Sequence, residues 1–321
     1  MNPMEKVSVI IPCYNQSQFL PETVESVLAQ THPAYEIIAV DDASPDRSAE
    51  VIGRYAGVRY IRQQHGGVCV ARNYGIAQAS GDYLVFVDGD DRLLPDHLET
   101  CVAAFRAHPE AALVCGDYRW FGMKDTWHVH NCAPLPTHYM TLLRFNFIGP
   151  PCVAMFRRDV VQRVGGFQPG LEGTEDQDLY FRMTRTHAMH CHHTVIAEYR
   201  RHAKQESQNW GKMLPAAMKT LQRQRPFVQE NSVSKDAYHH GITFRRQLYG
   251  ELLFRQGLKA VKSKQWKQAM TCFGILGRYY PSITIKPAYQ KILQLIAHTV
   301  KPSAAVSSKV PLSQKSPSDC I

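Results

Sequence analysis

The run Tyr83-Leu84-Val85-Phe86-Val87-Asp88-Gly89-Asp90-Asp91 joins five apolar residues to three carboxylates grouped around one glycine. Such an apolar run suits a strand buried on both faces of a parallel sheet, and carboxylates crowded at its end repel one another. A hard divalent cation removes that conflict. Carboxylate oxygens suit Mg²⁺ or Mn²⁺, and Mg²⁺ sites often take only one or two protein carboxylates, leaving the remaining positions to water and substrate phosphate. The chemistry implied is that of a metal and nucleotide site.

Such a cluster needs elements to hold it. Val7-Ser8-Val9-Ile10-Ile11-Pro12 reads as a strand, and Phe19, Leu20, Val24, Val27 and Leu28 then recur at helical spacing with Pro21 near the helix start. The step repeats through Glu36–Val40 with a helix near 46–55, Val58–Ile61 with a helix near 68–79, and Tyr83–Val87 with a helix near 95–107. This alternation predicts an α/β fold with a mostly parallel, Rossmann-like sheet flanked by helices. Ligands of such sheets collect at the carboxyl ends of the strands, where Pro12-Cys13-Tyr14-Asn15, Asp41-Asp42 and Asp88–Asp91 all fall.

Residues 111–199 are less regular, with a strand near Ala111–Cys115, an aromatic loop around Tyr118-Arg119-Trp120-Phe121 and a Gly149-Pro150-Pro151 segment, and read as the acceptor side. From 210 onward the pattern is helical. Leu252, Leu253, Ala260, Trp266, Ala269, Phe273 and Leu276, followed by Pro281, suggest one hairpin of tetratricopeptide-like spacing. The expected organisation is a catalytic domain over 1–209, a helical C-terminal extension over 210–300, and a disordered Ser-, Pro- and Lys-rich tail over 301–321.

At 321 residues the chain can hold one large α/β domain and something smaller. The formal net charge of +9 is unevenly spread: residues 1–199 hold 16 Lys and Arg against 23 Asp and Glu, whereas residues 200–321 hold 21 against 5. A basic segment of this kind attracts nucleic acid, anionic lipid or lipid-linked phosphate, and charge alone does not choose among them. With no charged-then-apolar leader and no apolar stretch of about 18 residues, the expected location is the cytoplasm. Nine scattered cysteines without a Cys-x-x-Cys pair point to reduced thiols and away from structural zinc.

Taken in order, Val7–Asn15, Asp41-Asp42-Ala43-Ser44, Gly66-Gly67-Val68-Cys69-Val70-Ala71-Arg72-Asn73-Tyr74-Gly75, Asp88-Gly89-Asp90-Asp91 and Glu175-Asp176-Gln177-Asp178-Leu179 closely resemble family 2 glycosyltransferases of the GT-A fold. The match spans roughly residues 5–205. The resemblance implies transfer of one sugar from a nucleotide-sugar donor, most often a UDP-sugar, to an acceptor hydroxyl with inversion. Processive relatives carry membrane spans and a Gln-x-x-Arg-Trp motif; here Gly116 stands where the glutamine belongs, before Arg119-Trp120, which implies a non-processive enzyme.

The same resemblance implies site roles. Asp42 accepts from the nucleobase while Asp41 shapes its loop, and Pro12, Tyr14 and Asn15 form the neighbouring wall. Arg72 faces the nucleotide phosphates or ribose, Asp88 lies near ribose and metal, Asp90 ligates the metal directly, and Asp91 stands behind it. A divalent cation, Mn²⁺ or Mg²⁺, neutralises charge building on the departing nucleotide. Asp176 is the base that takes the acceptor proton, supported by Glu175. In Tyr199-Arg200-Arg201-His202, His202 completes the metal shell or contacts the diphosphate, and Arg200 and Arg201 are both candidates for holding phosphate. The chain departs from the family's usual Asp-Asp-Gly-Ser at Ala43.

Plainer readings compete with these. Asp41, Asp42 and Asp46 also suit helix capping, Asp176 a helix-start carboxylate, and His187, His190, His192 and His193 lack ligand spacing. Two other functions fit parts of the pattern: a sugar-phosphate nucleotidyltransferase, whose glycine-rich Arg/Lys-bearing first loop is missing, and a non-catalytic scaffold, against which the intact Asp88, Asp90 and Asp176 speak. The expected acceptor is a glycan or lipid-linked glycan of surface polysaccharide synthesis, with no nucleic-acid partner. Ile285, Tyr289, Ile292, Leu293 and Ile296 share one helical face of segment 283–300, suited either to peripheral membrane contact or to packing on the protein.

Overall fold

Apolar strands alternating with helical spacing give the expected β–α steps: β1 (Val7–Cys13), α1 (Leu20–Leu28), β2 (Glu36–Asp41), α2 (Ser48–Ile52), β3 (Val58–Arg62), α3 (Val68–Gln78) and β4 (Tyr83–Phe86). The computed structural model describes residues 5–122, 129–130, 137–202, 205–229, 232–285, 287 and 289. Further along lie β5 (Arg92–Leu93), α4 (His97–Ala107), β6 (Ala111–Phe121), β7 (Val129–His130), α5 (His138–Arg144), β8 (Ala154–Arg157), α6 (Arg158–Arg163), α7 (Glu175–Thr184) and β9 (Ala188–Arg200). Three helices follow: α8 (Trp210–Gln222), α9 (Ser232–Lys262) and α10 (Trp266–Tyr279).

Among the described residues the strands form one nine-stranded sheet in the order β3-β2-β1-β4-β8-β6-β9-β5, with β7 beside β6. β1 pairs in parallel with both β2 and β4, so strand order reverses at β1, and a crevice opens beyond the carboxyl ends of β1 and β4. Every residue of β1 and β4 is buried, as a central strand covered on both faces requires. The expected parallel ladder holds for β3-β2-β1-β4. Beyond it the sheet is mixed, because β8 runs antiparallel to both β4 and β6 while β6 and β9 are parallel. The expected aromatic loop at Tyr118–Phe121 is instead the end of β6, since Trp120 pairs with Tyr199 and Phe121 with Arg200 across the ladder. That partner lies 79 residues away, so no local signal marks the strand.

The chain divides into two compact units at Leu253/Phe254, within α9. Residues 210–253 stay with the first unit because α8 and the first part of α9 bond to its loops: Thr174 and Thr220 hydroxyls lie 2.8 Å apart, and Arg245 donates to the Leu142 and Leu143 carbonyls at 2.9 and 2.8 Å. In the second unit the end of α9 packs on α10. Phe273 packs on Phe254 and Tyr289, and Tyr289 Oη donates to the Phe273 carbonyl at 2.7 Å. The expected tail over 301–321 lies outside the described residues, as does nearly all of segment 283–300.

Cys13, Cys69, Cys101, Cys152 and Cys272 carry free, buried thiols. Cys191 is disulfide-bonded, which corrects the expectation of reduced thiols throughout; pairing depends on which thiols the fold brings together, and spacing in sequence does not give that. Among the described residues no helix is long and apolar enough to cross a membrane.

Candidate active site

The parallel register brings three polar loops together at the carboxyl edge of β1, β2 and β4. Pro12 and Cys13 end the buried run of β1. Asn15 follows in the left-handed region at φ 56°, a conformation asparagine tolerates, and its N–H donates to Ser44 Oγ at 3.0 Å. Tyr14, 47% exposed, leans its ring on His65 at 4.7 Å between centroids. Gly89, between the first two carboxylates, lies close under neighbouring side chains: a Cβ there would lie 2.5 Å from Gln16 Oε1 and 3.1 Å from Leu20 Cδ2, so Gln16 would have to swing aside.

Asp41 is fully buried and shapes its loop, accepting from the Ser44 N–H at 2.8 Å and from Tyr60 Oη at 2.6 Å. The Asp42 carboxylate accepts from Gln63 Nε2 at 2.7 Å and from the N–H groups of Gly66 and Gly67 at 2.8 Å each, with His65 Nδ1 2.9 Å away. It holds the amino end of α3, so a contact with a nucleobase requires one of these partners, Gln63 or His65, to give way. The capping reading is realised more directly by Asp46, which accepts from the Ser17 and Ser48 N–H groups.

Arg72, on α3, is 2% exposed and does not reach toward open cleft. Its NH2 donates to Asp88 Oδ1 at 2.6 Å and its NH1 to Glu175 Oε1 at 2.7 Å, with the guanidinium 5.0 Å from the Phe167 ring centre. Glu175 Oε2 accepts from the Gly173 N–H at 2.6 Å. Asp176, the next residue, is half-buried at the start of α7 and accepts from the Gln177 N–H at 2.7 Å. Burial, the Glu175 carboxylate and, more weakly, Asp88 push its pKa up to about 8, against the opposing pull of the Gln177 N–H and the Arg72 cation.

Asp90 is buried, with Oδ2 2.9 Å from His202 Nε2; the His202 ring packs on Phe19. Burial and the Asp88 charge raise the Asp90 pKa despite that hydrogen bond. Asp91 is fully buried: Oδ1 accepts from the Arg200 N–H at 2.9 Å, while Oδ2 has no hydrogen-bond partner among the described residues, and burial with its two acidic neighbours raises its pKa well above the carboxylate range. Arg200 turns inward onto protein, donating to the Asp90 carbonyl at 2.7 Å and to Glu22 at 2.8 Å, between the rings of Phe19 and Phe121. Arg201 is half-buried over Trp120 and is the member of the pair without an ion partner among the described residues. Glu22, Gln63, His65 and Tyr60 belong to this network and carry no sequence signal of their own, because each meets its partner only through the fold.

No group of three or more His, Cys, Asp or Glu side chains among the described residues converges on a single metal position. The donor set nonetheless fits a hard cation: Asp88 keeps one carboxylate oxygen outside the Arg72 bond, Asp90 and His202 are in contact, and burial together with their acidic neighbours raises the Asp90 and Asp91 carboxyls, a penalty on ionisation that a cation would relieve. His187, His190, His192 and His193 lie away from this site on or before β9, where His190 stacks on His108 at 3.7 Å.

Residues 8–165 match the family model described as Glycosyl transferase family 2. An uncharacterized glycosyltransferase of Rickettsia prowazekii is 26% identical over 302 residues, covering 88% of this chain and 90% of that protein. Other curated relatives extend well beyond the match; of one from Rickettsia felis, 29% identical, the chain spans 35% of the length. Among solved structures, S. aureus TarS 1–349 in complex with UDP-GlcNAc superposes with TM-score 0.56 at 18% identity, over 83% of this chain and 90% of that one. The mannosyltransferase PcManGT from Pyrobaculum calidifontis, in complex with GDP-Man and Mn²⁺, gives 0.59 at 16% identity, over 92% and 85%. At these identities the structural likeness speaks for the GT-A fold.

Proposed function

Because the chain belongs to glycosyl transferase family 2 and is a glycosyltransferase, we propose that it transfers a single sugar from a nucleotide-sugar donor to an acceptor hydroxyl with inversion, without processive polymerisation. The observation that carries this reading is the Arg72 bridge, which holds the first carboxylate of the Asp88-Gly89-Asp90 turn and the carboxylate preceding Asp176 on one guanidinium. Donor pole and base pole are thereby one assembly.

Asp176 takes the proton of the acceptor hydroxyl as that oxygen attacks the anomeric carbon and the bond from the sugar to the nucleotide phosphate breaks. A carboxyl whose pKa is raised to about 8 is a stronger base, once ionised, than an ordinary aspartate. Glu175, locked between Arg72 and the Gly173 N–H, keeps Asp176 at the mouth of α7. Asp88, Asp90 and His202 are the residues that would hold a divalent cation, Mn²⁺ or Mg²⁺, which when bound supplies charge neutralisation to the donor diphosphate. Tyr14 and His65 form a wall for the nucleobase beside Pro12, Asn15 and Asp42, and Arg201, rather than Arg200, is available to phosphate. The preferred donor is a UDP-sugar and the acceptor a surface polysaccharide or lipid-linked glycan, a reading supported by the basic balance of residues 200–321 and their suitability for peripheral contact with anionic membrane.

Calorimetry with UDP, GDP, CDP and dTDP, each with and without Mn²⁺, tests the donor reading. Metal-dependent binding of UDP lost in Asp90→Ala is the expected result, and absence of binding by every nucleotide overturns it. An Asp176→Asn protein that still binds nucleotide should lose turnover by roughly 10²- to 10⁴-fold; unchanged turnover removes the base assignment.

A further inference from the structure

The geometry points to a carbohydrate acceptor subsite built from Trp210 and Tyr249, in which the face of a neutral pyranose ring lies across both side chains next to Asp176. This rests on the glycosyltransferase reading and adds to it the residues and the ligand class on the acceptor side.

Two independent sets of contacts bring α8 and α9 to the amino end of α7. On the α8 side, Thr220 meets Thr174 at 2.8 Å, Lys219 Nζ donates to the Gly170 carbonyl at 2.9 Å, and a Cβ on Gly173, at φ 91°, would lie 2.8 Å from Met213 Sδ. The left-handed φ of Gly173 favours glycine, and its closeness to Met213 puts the loop leading to Glu175 and Asp176 on the first turn of α8, which Trp210 opens. On the α9 side, Arg245 is buried without a carboxylate partner. It donates to the Leu142 and Leu143 carbonyls at the end of α5 and to Gln177 Oε1 at 3.3 Å. Tyr249 stands one helical turn after Arg245, on the same face of α9, and so faces the same corner. Burial raises the Tyr249 phenol pKa, the Arg245 cation opposes this, and the Asp176 carboxylate adds to it, in keeping with a ring close to the base.

Trp210 and Tyr249 themselves lie 6.3 Å apart between centroids with an interplanar angle of 30°. A sugar held between two rings needs about 3.5–4 Å on either side, so this spacing leaves no slot between them, and the sugar lies against the outward part of the stacked pair. Both side chains are half-buried, and neither the Tyr249 hydroxyl nor the Trp210 indole N–H has a hydrogen-bond partner among the described residues. An apolar surface with unspent hydrogen-bonding tips suits a pyranose, which offers a C–H face to aromatic rings and hydroxyls at its rim. Asp176, once ionised, disfavours an anionic ring in the same place.

The test is saturation-transfer NMR on the full chain, with methyl α- and β-glycosides of glucose, galactose, mannose and N-acetylglucosamine as probes, in the presence of UDP and Mn²⁺. At least one glycoside should receive saturation at the C–H protons of one ring face. Trp210→Leu, which keeps apolar volume but removes the π face, should weaken that binding roughly tenfold. Tyr249→Phe, which keeps the ring and folds with least perturbation, should retain stacking and lose two- to threefold. No saturation of any probe in the natural protein, or equal saturation in both variants, overturns the subsite. Nucleotide calorimetry run separately on the same three proteins keeps the two readings apart. Failure of nucleotide binding in the natural protein counts against the donor assignment, whereas intact binding in variants that lose the glycoside signal supports the subsite.

Discussion

Arg72 and Glu175, 103 residues apart in the chain, form a buried ion pair at 2.7 Å, and the second terminal nitrogen of the same guanidinium holds Asp88 at 2.6 Å. A strand-end carboxylate and a helix-start carboxylate are thereby fixed to one rigid fork, whose planar bidentate geometry a lysine cannot reproduce.

Removal of that fork leaves Glu175 buried without a cationic partner, held only by the Gly173 N–H. Arg72→Met should therefore lower stability by about 3–5 kcal/mol, and Arg72→Lys, able to satisfy one carboxylate, by an intermediate amount. Urea unfolding at neutral pH measures both; equal stability of all three proteins would show that the bridge is not formed in solution.

The Asp176 carboxyl, raised to about 8, must be ionised to accept a proton. Donor hydrolysis should have an acid limb in kcat/KM centred near that pH, with the rate falling as pH drops below it. Glu175→Gln removes the main opposing charge and should move the limb to lower pH. A pH–rate profile of the natural and variant enzymes decides this, and an unmoved limb would assign the titration elsewhere.

His97 is fully buried, donates from Nδ1 to the Ile196 carbonyl at 3.1 Å and leaves Nε2 without a partner among the described residues. Burial lowers its pKa from 6.5 to about 4. The unfolded chain takes up the proton first, so stability is full above pH 6.5 and declines as pH falls toward 4, by about 3 kcal/mol across the window. His97→Asn, which keeps a comparable donor and cannot titrate, should flatten that decline in urea midpoints measured between pH 7 and 4.

Ala43 occupies the left-handed region at φ 61°, where a Cβ crowds the backbone. Ala43→Gly should stabilise the protein by about 1 kcal/mol, after the greater freedom of glycine in the unfolded chain is deducted. Thermal unfolding of the pair reports it, and a lower midpoint in the variant would contradict the strained geometry.

The parallel half of the sheet was legible because its signals are local. β1 to β4 are short apolar runs separated by helical spacing, and Asp88–Asp91 announces itself as charge at the end of such a run. The far half was less so: Tyr118–Phe121 is a strand only because β9 lies beside it, and α8 with the first part of α9 belongs to the catalytic unit only through contacts such as Thr174 with Thr220.

Residue type and spacing alone determined which groups meet at the strand ends, since a parallel β–α repeat puts every such loop on one edge. What each group does there was decided by the tertiary structure. Arg200 and Arg201 are identical neighbours in sequence, yet one is spent on Glu22 and the Asp90 carbonyl while the other lies over Trp120. Arg72 is turned from a candidate phosphate ligand into a buried bridge. The reason is physical: a side chain's role follows from the charges and solvent it faces, and for these arginines those are supplied by residues between 16 and 178 positions away in the chain.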